Sequence, residues 1–270
     1  MILDTEPVPP VVLVIAGSDS GGGAGIQADI KACMANGAHA TTVITAITAQ
    51  NSLGVQGVWP STVQAVIAQF RSVMDDIGAA AIKIGMLGTA ELTRTVAALI
   101  EPYADDIPVI LDPVCSSKHG DSLLEADALA ALRDLLLPLA TVVSPNLPEA
   151  ALLLGQPVEN EEQQAAAAMQ LVDMGAGWAL VKGGHLDGDA TDVLTDGATI
   201  LRLAQKRIHV SNTHGTGCTL ASAIAAHLAA GELVPAAVTA AKAYVTGAIE
   251  HSYSLGGGVG PLRHGWRAGM

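Results

Sequence analysis

The chain has 270 residues, of which 50% are apolar, and it carries a formal net charge of −13 at pH 7. The apolar half is sufficient for a sizeable core, whereas the acidic balance argues against general nucleic-acid binding and against docking on an anionic membrane, because both require a basic face. No apolar run approaches the length of a membrane span, and the N-terminus lacks the basic and apolar regions of a signal peptide. The three cysteines are too widely spaced for a metal cluster or a disulfide framework. We therefore expect a soluble cytoplasmic protein.

Short apolar, β-branched runs alternate with helical stretches over the first two thirds of the chain. Most runs are apolar throughout, which is typical of strands buried on both faces. The predicted strands are 11–17, 41–48, 81–85, 108–112, 141–144 and 178–183, and the predicted helices are 24–36, 61–76, 89–102, 122–138, 146–155 and 160–175. This alternation predicts βαβ crossovers and a mainly parallel sheet with helices on both faces.

After residue 188 the pattern changes. It predicts an antiparallel hairpin at one edge of the sheet, with a turn at Asp196-Gly197, then helices at 218–230 and 234–253 and an irregular glycine-rich tail. No internal repeat or domain boundary is visible, so one three-layer domain spanning the chain is expected. Ligands of such folds bind beyond the carboxyl ends of the parallel strands, which makes the residues after each strand the candidates.

The first strand is followed by "GSDSGGGAGIQADIK" (17–31), whose glycines let the backbone approach a ligand closely. The spacing Gly23-x-Gly25-x-x-Ala28 matches a loose dinucleotide fingerprint, which leaves an NAD-dependent oxidoreductase as one alternative. The second strand has no acidic residue at its end to hold a ribose, and there is no Walker A lysine. A glycine-rich turn without a ligand is the other alternative.

Two residues after later strands suit a flat, nitrogen-bearing ring. Gln50 offers one acceptor and paired donors, the complement of an exocyclic amine beside a ring nitrogen in an aminopyrimidine. Met86 is a flexible apolar side chain that could cover a ring. Taken singly, Gln50 also fits a polar loop and Met86 also fits the core.

Charged residues at three further strand ends suit phosphate and magnesium. Asp112 and Glu149 could contact Mg²⁺, or could act as helix caps, with Asn146 as the N-cap of the helix that contains Glu149. Lys182 ends a strand and is followed by two glycines, which suits a phosphate, although an ordinary surface lysine would look the same.

The segment "NTHGTGCT" places Gly215, Thr216, Gly217 and Cys218 at the start of a helix. Backbone N–H groups there have no intrahelical acceptor and attract anions, so they could stabilise a transferring phosphoryl group. The same field predicts a lowered pKa for the Cys218 thiol and hence a thiolate. The alternative for Cys218 is a small buried residue at a helix start.

Together these segments resemble one enzyme family. "AGSDSGGGAGIQADIK", "ITAQN", "KIGML", "LDPV", "PNLPEA", "VKGGH" and "NTHGTGCT" occur in the order and at the spacings of the hydroxymethylpyrimidine/phosphomethylpyrimidine kinases, over about residues 11–262. The resemblance implies a ribokinase-like three-layer α/β/α sandwich, usually dimeric. It further implies that MgATP phosphorylates 4-amino-5-hydroxymethyl-2-methylpyrimidine and then its monophosphate, in thiamine biosynthesis.

The resemblance also assigns residues. It implies pyrimidine contacts at Gly17, Ala24, Asp29, Gln50 and Met86, nucleotide contacts at Asn146, Lys182 and Thr213, Mg²⁺ contacts at Asp112 and Glu149, and an anion hole at Gly215, Thr216, Gly217 and Cys218. Lys182 would act at the ATP phosphates. Cys218 stands where related sugar kinases carry an aspartate base, so it would accept the hydroxyl proton.

The chain departs from the family pattern at a few positions. Ser20 and Gly21 replace proline and serine in the glycine-rich loop, Cys115 replaces a methionine, and the segment 115–124 is a variant. Two alternatives remain within this fold: a pyridoxal kinase, against which Gln50 argues, and a non-catalytic ligand-binding regulator.

Overall fold

The computed structural model describes residues 8–114, 126–184, 186 and 188–269. Cys115 and the variant segment that it opens lie outside this range. The strands are β1 (Val11–Asp19), β2 (His39–Asn51), β3 (Gly54–Pro60), β4 (Ala81–Ile84), β5 (Val109–Leu111), β6 (Val142–Val143), β7 (Trp178–Val181), β8 (Asp192–Thr195) and β9 (Ile200–Leu203). The α-helices are α1 (Gly25–Ala35), α2 (Val63–Met74), α3 (Ala90–Ile100), α4 (Ala126–Ala131), α5 (Leu147–Leu154), α6 (Glu161–Asp173), α7 (Thr216–Ala229) and α8 (Val234–Glu250).

All nine described strands belong to one sheet. The strand order is β3-β2-β1-β4-β5-β6-β7-β8-β9. Six neighbouring strands pair in parallel, in the order β2, β1, β4, β5, β6 and β7. Strand β3 at one end of the sheet, and β8 and β9 at the other, pair antiparallel. The parallel strands therefore end at the same edge, where their following loops meet.

Helices cover both faces of the sheet. Alternate residues of β1 point to opposite faces: Leu13 and Ile15 pack into the layer formed by α2, α3, α5 and α6, and Val12 and Val14 pack into the layer formed by α1, α7 and α8. All four side chains are fully buried. The predicted three-layer α/β fold with a mainly parallel sheet and an antiparallel edge hairpin is confirmed.

Several boundaries differ from the prediction. The strand β3 was not predicted. Strand β2 is longer than predicted and pairs with β3, so Gln50 and Asn51 are its last residues rather than residues beyond it. Gln50 pairs with Val55, and Asn51 pairs with Gly54. In place of the predicted helix at 122–138, the described part is α4, then a π turn over Leu132–Leu136 and a 3₁₀ turn over Leu137–Leu139. Proline at 138 cannot donate a backbone hydrogen bond, which agrees with an α-helix ending before it.

The second half of the chain follows the prediction closely. The hairpin of β8 and β9 turns at residues 196–199, where Gly197 has a φ of +89° and Asp196 Oδ1 accepts hydrogen bonds from two backbone N–H groups. The helix expected at 218–230 begins two residues earlier, at Thr216. This earlier start places the whole of the "GTGC" segment at the N-terminus of α7.

Candidate active site

A cavity of about 650 Å³ lies beyond the carboxyl ends of the parallel strands, at the N-terminus of α7. Every site residue predicted from the sequence lines this cavity, apart from Asp29. The loops after β1, β4, β5, β6 and β7 each contribute to its wall. The strand-end positions therefore converge as the parallel topology requires.

The start of α7 is shaped by two glycines. Gly215 is the N-cap with a φ of +83°, and a Cβ there would collide with the carbonyl oxygen of Gly23. A Cβ on Gly217 would lie 3.4 Å from Lys182 Nζ and 3.5 Å from Asp112 Oδ2, so Gly217 keeps the space beside these two charged groups open. Around them, Thr216 Oγ1 donates to the carbonyl of Thr213, which fixes the approach to the helix.

This geometry predicts opposite outcomes for two alanine substitutions. Gly215→Ala forces an unfavourable left-handed backbone and a backbone collision, so we expect it to lower the free energy of unfolding by about 2 kcal/mol or more. Gly217→Ala fits the fold but narrows the space beside Lys182 and Asp112, where the resemblance expects a phosphate, so we expect parental stability with a lower kcat. Thermal unfolding and steady-state kinetics of the two variants check this, and equal stabilities would contradict it.

One lysine and two carboxylates lie in the cavity beside the N-terminus of α7. Lys182 Nζ donates to Asp112 Oδ1 at 3.1 Å and lies 3.9 Å from Glu149 Oε2. Asn146 and Glu149 form the predicted capping box of α5: the Asn146 N–H donates to Glu149 Oε2 at 2.7 Å, and the Glu149 N–H donates to Asn146 Oδ1 at 2.9 Å. Asn146 and Glu149 therefore both cap α5 and line the cavity.

The charges of this group depend on one another. Burial is the main cause that raises the pKa of Glu149 to about 7; Asp112 adds to the effect and Lys182 opposes it. Burial alone would lower the pKa of Lys182, but Asp112 and Glu149 outweigh burial and raise it. Within the described residues no group of three or more His, Cys, Asp or Glu side chains could hold a metal ion by itself. Two carboxylates are nevertheless the donor set with which proteins hold Mg²⁺ together with substrate phosphates.

The expected thiolate at Cys218 is not supported by its surroundings. Its side chain lines the cavity, and burial raises the pKa of the Cys218 thiol to about 12, although Lys83 and a hydrogen bond from the Gly25 N–H act in the opposite direction. The prediction of a lowered pKa was wrong because the helix N-terminus was weighed without the cost of removing a thiolate from water.

Asp29 is also placed differently from the prediction. It is 0% exposed and does not line the cavity; Lys83 Nζ donates to its two oxygens at 2.9 and 3.0 Å, and Ser222 Oγ donates to Asp29 Oδ1 at 2.7 Å. Lys83 lines the cavity from β4 and was missed by the sequence reasoning, although a lone lysine inside the apolar run "AIKIG" was a usable signal. Burial alone would lower the pKa of Lys83, but the carboxylate of Asp29 outweighs burial and raises it.

The glycine-rich loop forms the remaining wall. Met86 packs directly against Gly17: a Cβ on Gly17 would collide with Met86 Cε. Ala24 lines the cavity, and its N–H donates to Asp19 Oδ2 at 2.8 Å. Gln50 reaches this wall from the end of β2. Asp19 was not predicted as a site residue, and neither was His214, although "GSDS" and "THGTG" contain them.

A helix N-terminus, a lysine and two carboxylates meet in one cavity of a doubly covered parallel sheet, and they define a small-molecule phosphotransferase. A family model described as phosphomethylpyrimidine kinase matches residues 19–263, and the chain belongs to that family. The hydroxymethylpyrimidine/phosphomethylpyrimidine kinase of Streptomyces coelicolor is 56% identical over 270 residues, which is 100% of both chains.

Solved structures agree with this assignment and confirm the ribokinase-like fold. The ADP complex of Bacillus subtilis pyridoxal kinase superposes with a TM-score of 0.88 at 38% identity, covering 95% of this chain and 98% of the other. The phosphomethylpyrimidine kinase of Clostridium difficile superposes with a TM-score of 0.79 at 38% identity, covering 88% and 98%. Among the described residues, no helix combines the length and apolar character that a membrane crossing requires.

Proposed function

We propose that the chain transfers the γ-phosphoryl group of MgATP to 4-amino-5-hydroxymethyl-2-methylpyrimidine and then to the resulting monophosphate, in thiamine biosynthesis. The observation that carries the proposal is that Gln50, which suits an aminopyrimidine edge, lines the same cavity as Lys182 and the N-terminus of α7. The names of the family model and of the Streptomyces coelicolor relative support the same substrate.

The residues divide into two groups by what they would hold. Gln50, Met86, Gly17 and Ala24 line the part of the cavity next to the glycine-rich loop and would hold the pyrimidine, with Met86 against the ring. Lys182, Asn146, Thr213 and the N–H groups of Gly215 to Cys218 would hold the nucleotide phosphates and stabilise charge on the transferring group.

A magnesium ion belongs to this proposal because the donors present fit it. Asp112 and Glu149 would hold Mg²⁺, directly or through water, and bound Mg²⁺ neutralises charge on the phosphates. Glu149 Oε2 accepts one hydrogen bond from the Asn146 N–H, and the carboxylate keeps further lone pairs with which it could hold the cation.

The raised pKa of Glu149 gives this site a pH dependence. A cation must displace the proton that Glu149 holds below a pH of about 7. The KM for Mg²⁺ at saturating ATP should therefore fall as pH rises from about 6 to about 8, by up to about tenfold per pH unit below the pKa, because one proton is released. Glu149→Gln keeps a capping side chain and should remove this dependence. The same slope in Glu149→Gln and the parent would exclude Glu149 as the group responsible.

Cys218 is proposed as the acceptor of the substrate hydroxyl proton, acting from a small thiolate fraction. Because burial raises the pKa of its thiol to about 12, that fraction and hence kcat should increase as pH rises above neutrality, at saturating MgATP. Cys218→Ala should be about 100-fold slower, the lower end for loss of a general base, and should lack the rise. If Cys218→Ala turns over as fast as the parent with the same pH profile, the base role is wrong.

A pyridoxal kinase is the second candidate, since a solved neighbour with a TM-score of 0.88 is named as one. Measuring kcat/KM for the pyrimidine alcohol and for pyridoxal, with ATP consumption coupled to a detectable reaction, separates the two. We expect a preference for the pyrimidine, and Gln50→Ala should raise the KM for the pyrimidine. A higher kcat/KM for pyridoxal would transfer the proposal to the second candidate.

We also propose a cytoplasmic homodimer built from single-domain protomers. One sheet runs through all nine described strands, which supports a single domain. The outer part of that sheet supports a partner: Ile47 and Trp59 pair across β2 and β3 on the same face and are 59% and 60% exposed. Such an apolar face on an edge strand is typical of an interface with a second copy. Sedimentation of the purified chain tests the dimer.

A further inference from the structure

The polar side chains beside the glycine-rich loop form a chain of contacts that includes one histidine. His214 Nε2 lies 2.9 Å from Asp19 Oδ2, and Gln50 Nε2 lies 3.2 Å from the same histidine nitrogen. At the other end of the carboxamide, Gln50 Oε1 lies 3.4 Å from Thr48 Oγ1. One ring nitrogen therefore faces both a carboxylate and an amide, and its single proton position decides how they are arranged.

Asp19 determines where that proton is. The carboxylate is 2% exposed and accepts hydrogen bonds from the N–H groups of Gly21, Gly23 and Ala24 at 2.8, 3.0 and 2.8 Å. Burial alone would raise the pKa of Asp19, but the hydrogen bonds from His214, Ala24 and Gly21 hold it below its usual value. An ionised carboxylate can only accept, so His214 Nε2 carries a proton and its N–H donates a hydrogen bond to Asp19 Oδ2.

Thr48 determines the other end of the carboxamide. Its hydroxyl lies 2.9 Å from the carbonyl oxygen of Ser18 and 3.4 Å from Gln50 Oε1. The shorter contact takes the only hydroxyl proton. Thr48 Oγ1 therefore presents lone pairs, not a donor, to Gln50.

Both neighbours select the same orientation of the carboxamide. With Nε2 towards His214, donor faces donor at one end and acceptor faces acceptor at the other. A half-turn of the terminal torsion places Oε1 of Gln50 against the His214 N–H, which it then shares as a second, longer acceptor beside Asp19, and places Nε2 against Thr48, so that neither contact is repulsive any longer. One lone pair of Oε1 and one N–H of Nε2 then remain for a ligand in the cavity.

We propose that His214, held as an Nε2–H donor by Asp19, is the positioning residue that fixes the polarity of the Gln50 carboxamide and thereby the substrate edge that the cavity accepts. This inference rests on the proposed function. An aminopyrimidine meets Oε1 with its exocyclic amine, on the His214 side, and meets the amide N–H with its ring nitrogen, on the Thr48 side. A ring without the amine leaves Oε1 without a ligand donor, which is unfavourable in a buried site.

Two substitutions at one position test the proposal. His214→Gln retains an N–H donor near the position of Nε2, whereas His214→Leu removes it. The readout is the ratio of kcat/KM for the pyrimidine alcohol to that for the analogue lacking the 4-amino group. The parent and His214→Gln should keep a ratio of about 10 to 100, the value of one hydrogen bond in a buried site, and His214→Leu should lose most of it through KM. An unchanged ratio in His214→Leu would overturn the proposal.

A second measurement does not depend on catalysis or on a folded variant. In the parent labelled with ¹⁵N-histidine, long-range ¹H–¹⁵N spectra should show the His214 Nε2 carrying a proton. A neutral Nδ1–H tautomer would overturn the proposal even if the enzyme is active. A parent that does not phosphorylate the pyrimidine alcohol would instead refute the proposed function, so the two failures are distinguishable.

Discussion

Lys182→Met is expected to lower kcat about 100- to 1000-fold, the range measured when one preorganised donor to a developing charge is removed. Lys182 Nζ would lie 3.4 Å from a Cβ built on Gly217, at the start of α7. The transferring phosphoryl group is proposed to lie in this space. Without Lys182, the backbone N–H groups at the start of α7 would be the remaining donors to that phosphoryl group. Steady-state kinetics at saturating MgATP measure the effect.

Two control variants make the result specific. Lys182→Arg keeps the positive charge in a different shape and should recover part of kcat, because charge and geometry both contribute. Arg133→Met removes a cation that is exposed and pairs with Asp134 away from the cavity, so its kcat should match the parent. A Lys182→Met variant with kcat within about threefold of the parent would exclude Lys182 from the phosphoryl-transfer step.

Lys83→Met should lower the free energy of unfolding by about 3–5 kcal/mol, the cost of leaving one partner of a buried ion pair uncompensated. Lys83 and Asp29 are both 0% exposed, joined by two hydrogen bonds, and Ser222 completes the shell of Asp29. Removing the ammonium leaves the Asp29 carboxylate in the layer between the sheet and helices α1 and α7. Urea unfolding followed by circular dichroism gives the difference.

The double variant is the matched control for this prediction. Lys83→Met combined with Asp29→Leu removes both charges and should recover most of the lost stability, as apolar replacements of buried pairs commonly do. A double variant as unstable as Lys83→Met alone would show that packing, and not the unpaired carboxylate, accounts for the loss.

The parallel core of this fold could be predicted because its strands are continuous apolar runs. "VVLVIAG" and "AIKIG" give β1 and β4 with small errors at their ends. The strand β3 could not be predicted in the same way, because "GVQGVWP" contains two glycines, ends in proline and is largely exposed. It forms by pairing with β2, and that pairing is not encoded in its own hydrophobic pattern.

The candidate site was predictable where a single segment defines the position. The "GTGC" residues, Lys182 and the Asn146–Glu149 capping box follow from local rules for strand ends and helix starts, and all of them line the cavity. The partners of Asp29 could not be found locally, because Lys83 and Ser222 lie 54 and 193 residues away in the chain.

The pKa of Cys218 could not be predicted for the same reason, because it depends on residues that are distant in the chain. The field of the α7 N-terminus was visible in the sequence and predicted a lowered value. The opposing contribution is removal of the thiol from water, with Asp29 and Asp112 adding to it, and it depends on tertiary packing. A thiolate at a helix start therefore cannot be inferred from the helix alone.

In the proposed reaction, one cavity phosphorylates an aminopyrimidine alcohol and then its monophosphate. The most direct test is ³¹P NMR of the purified protein with MgATP and 4-amino-5-hydroxymethyl-2-methylpyrimidine, followed over time. The monophosphate should appear first and should be converted to the diphosphate as ADP accumulates. A pyrimidine that stays unphosphorylated, while pyridoxal in a parallel sample is converted, would contradict it.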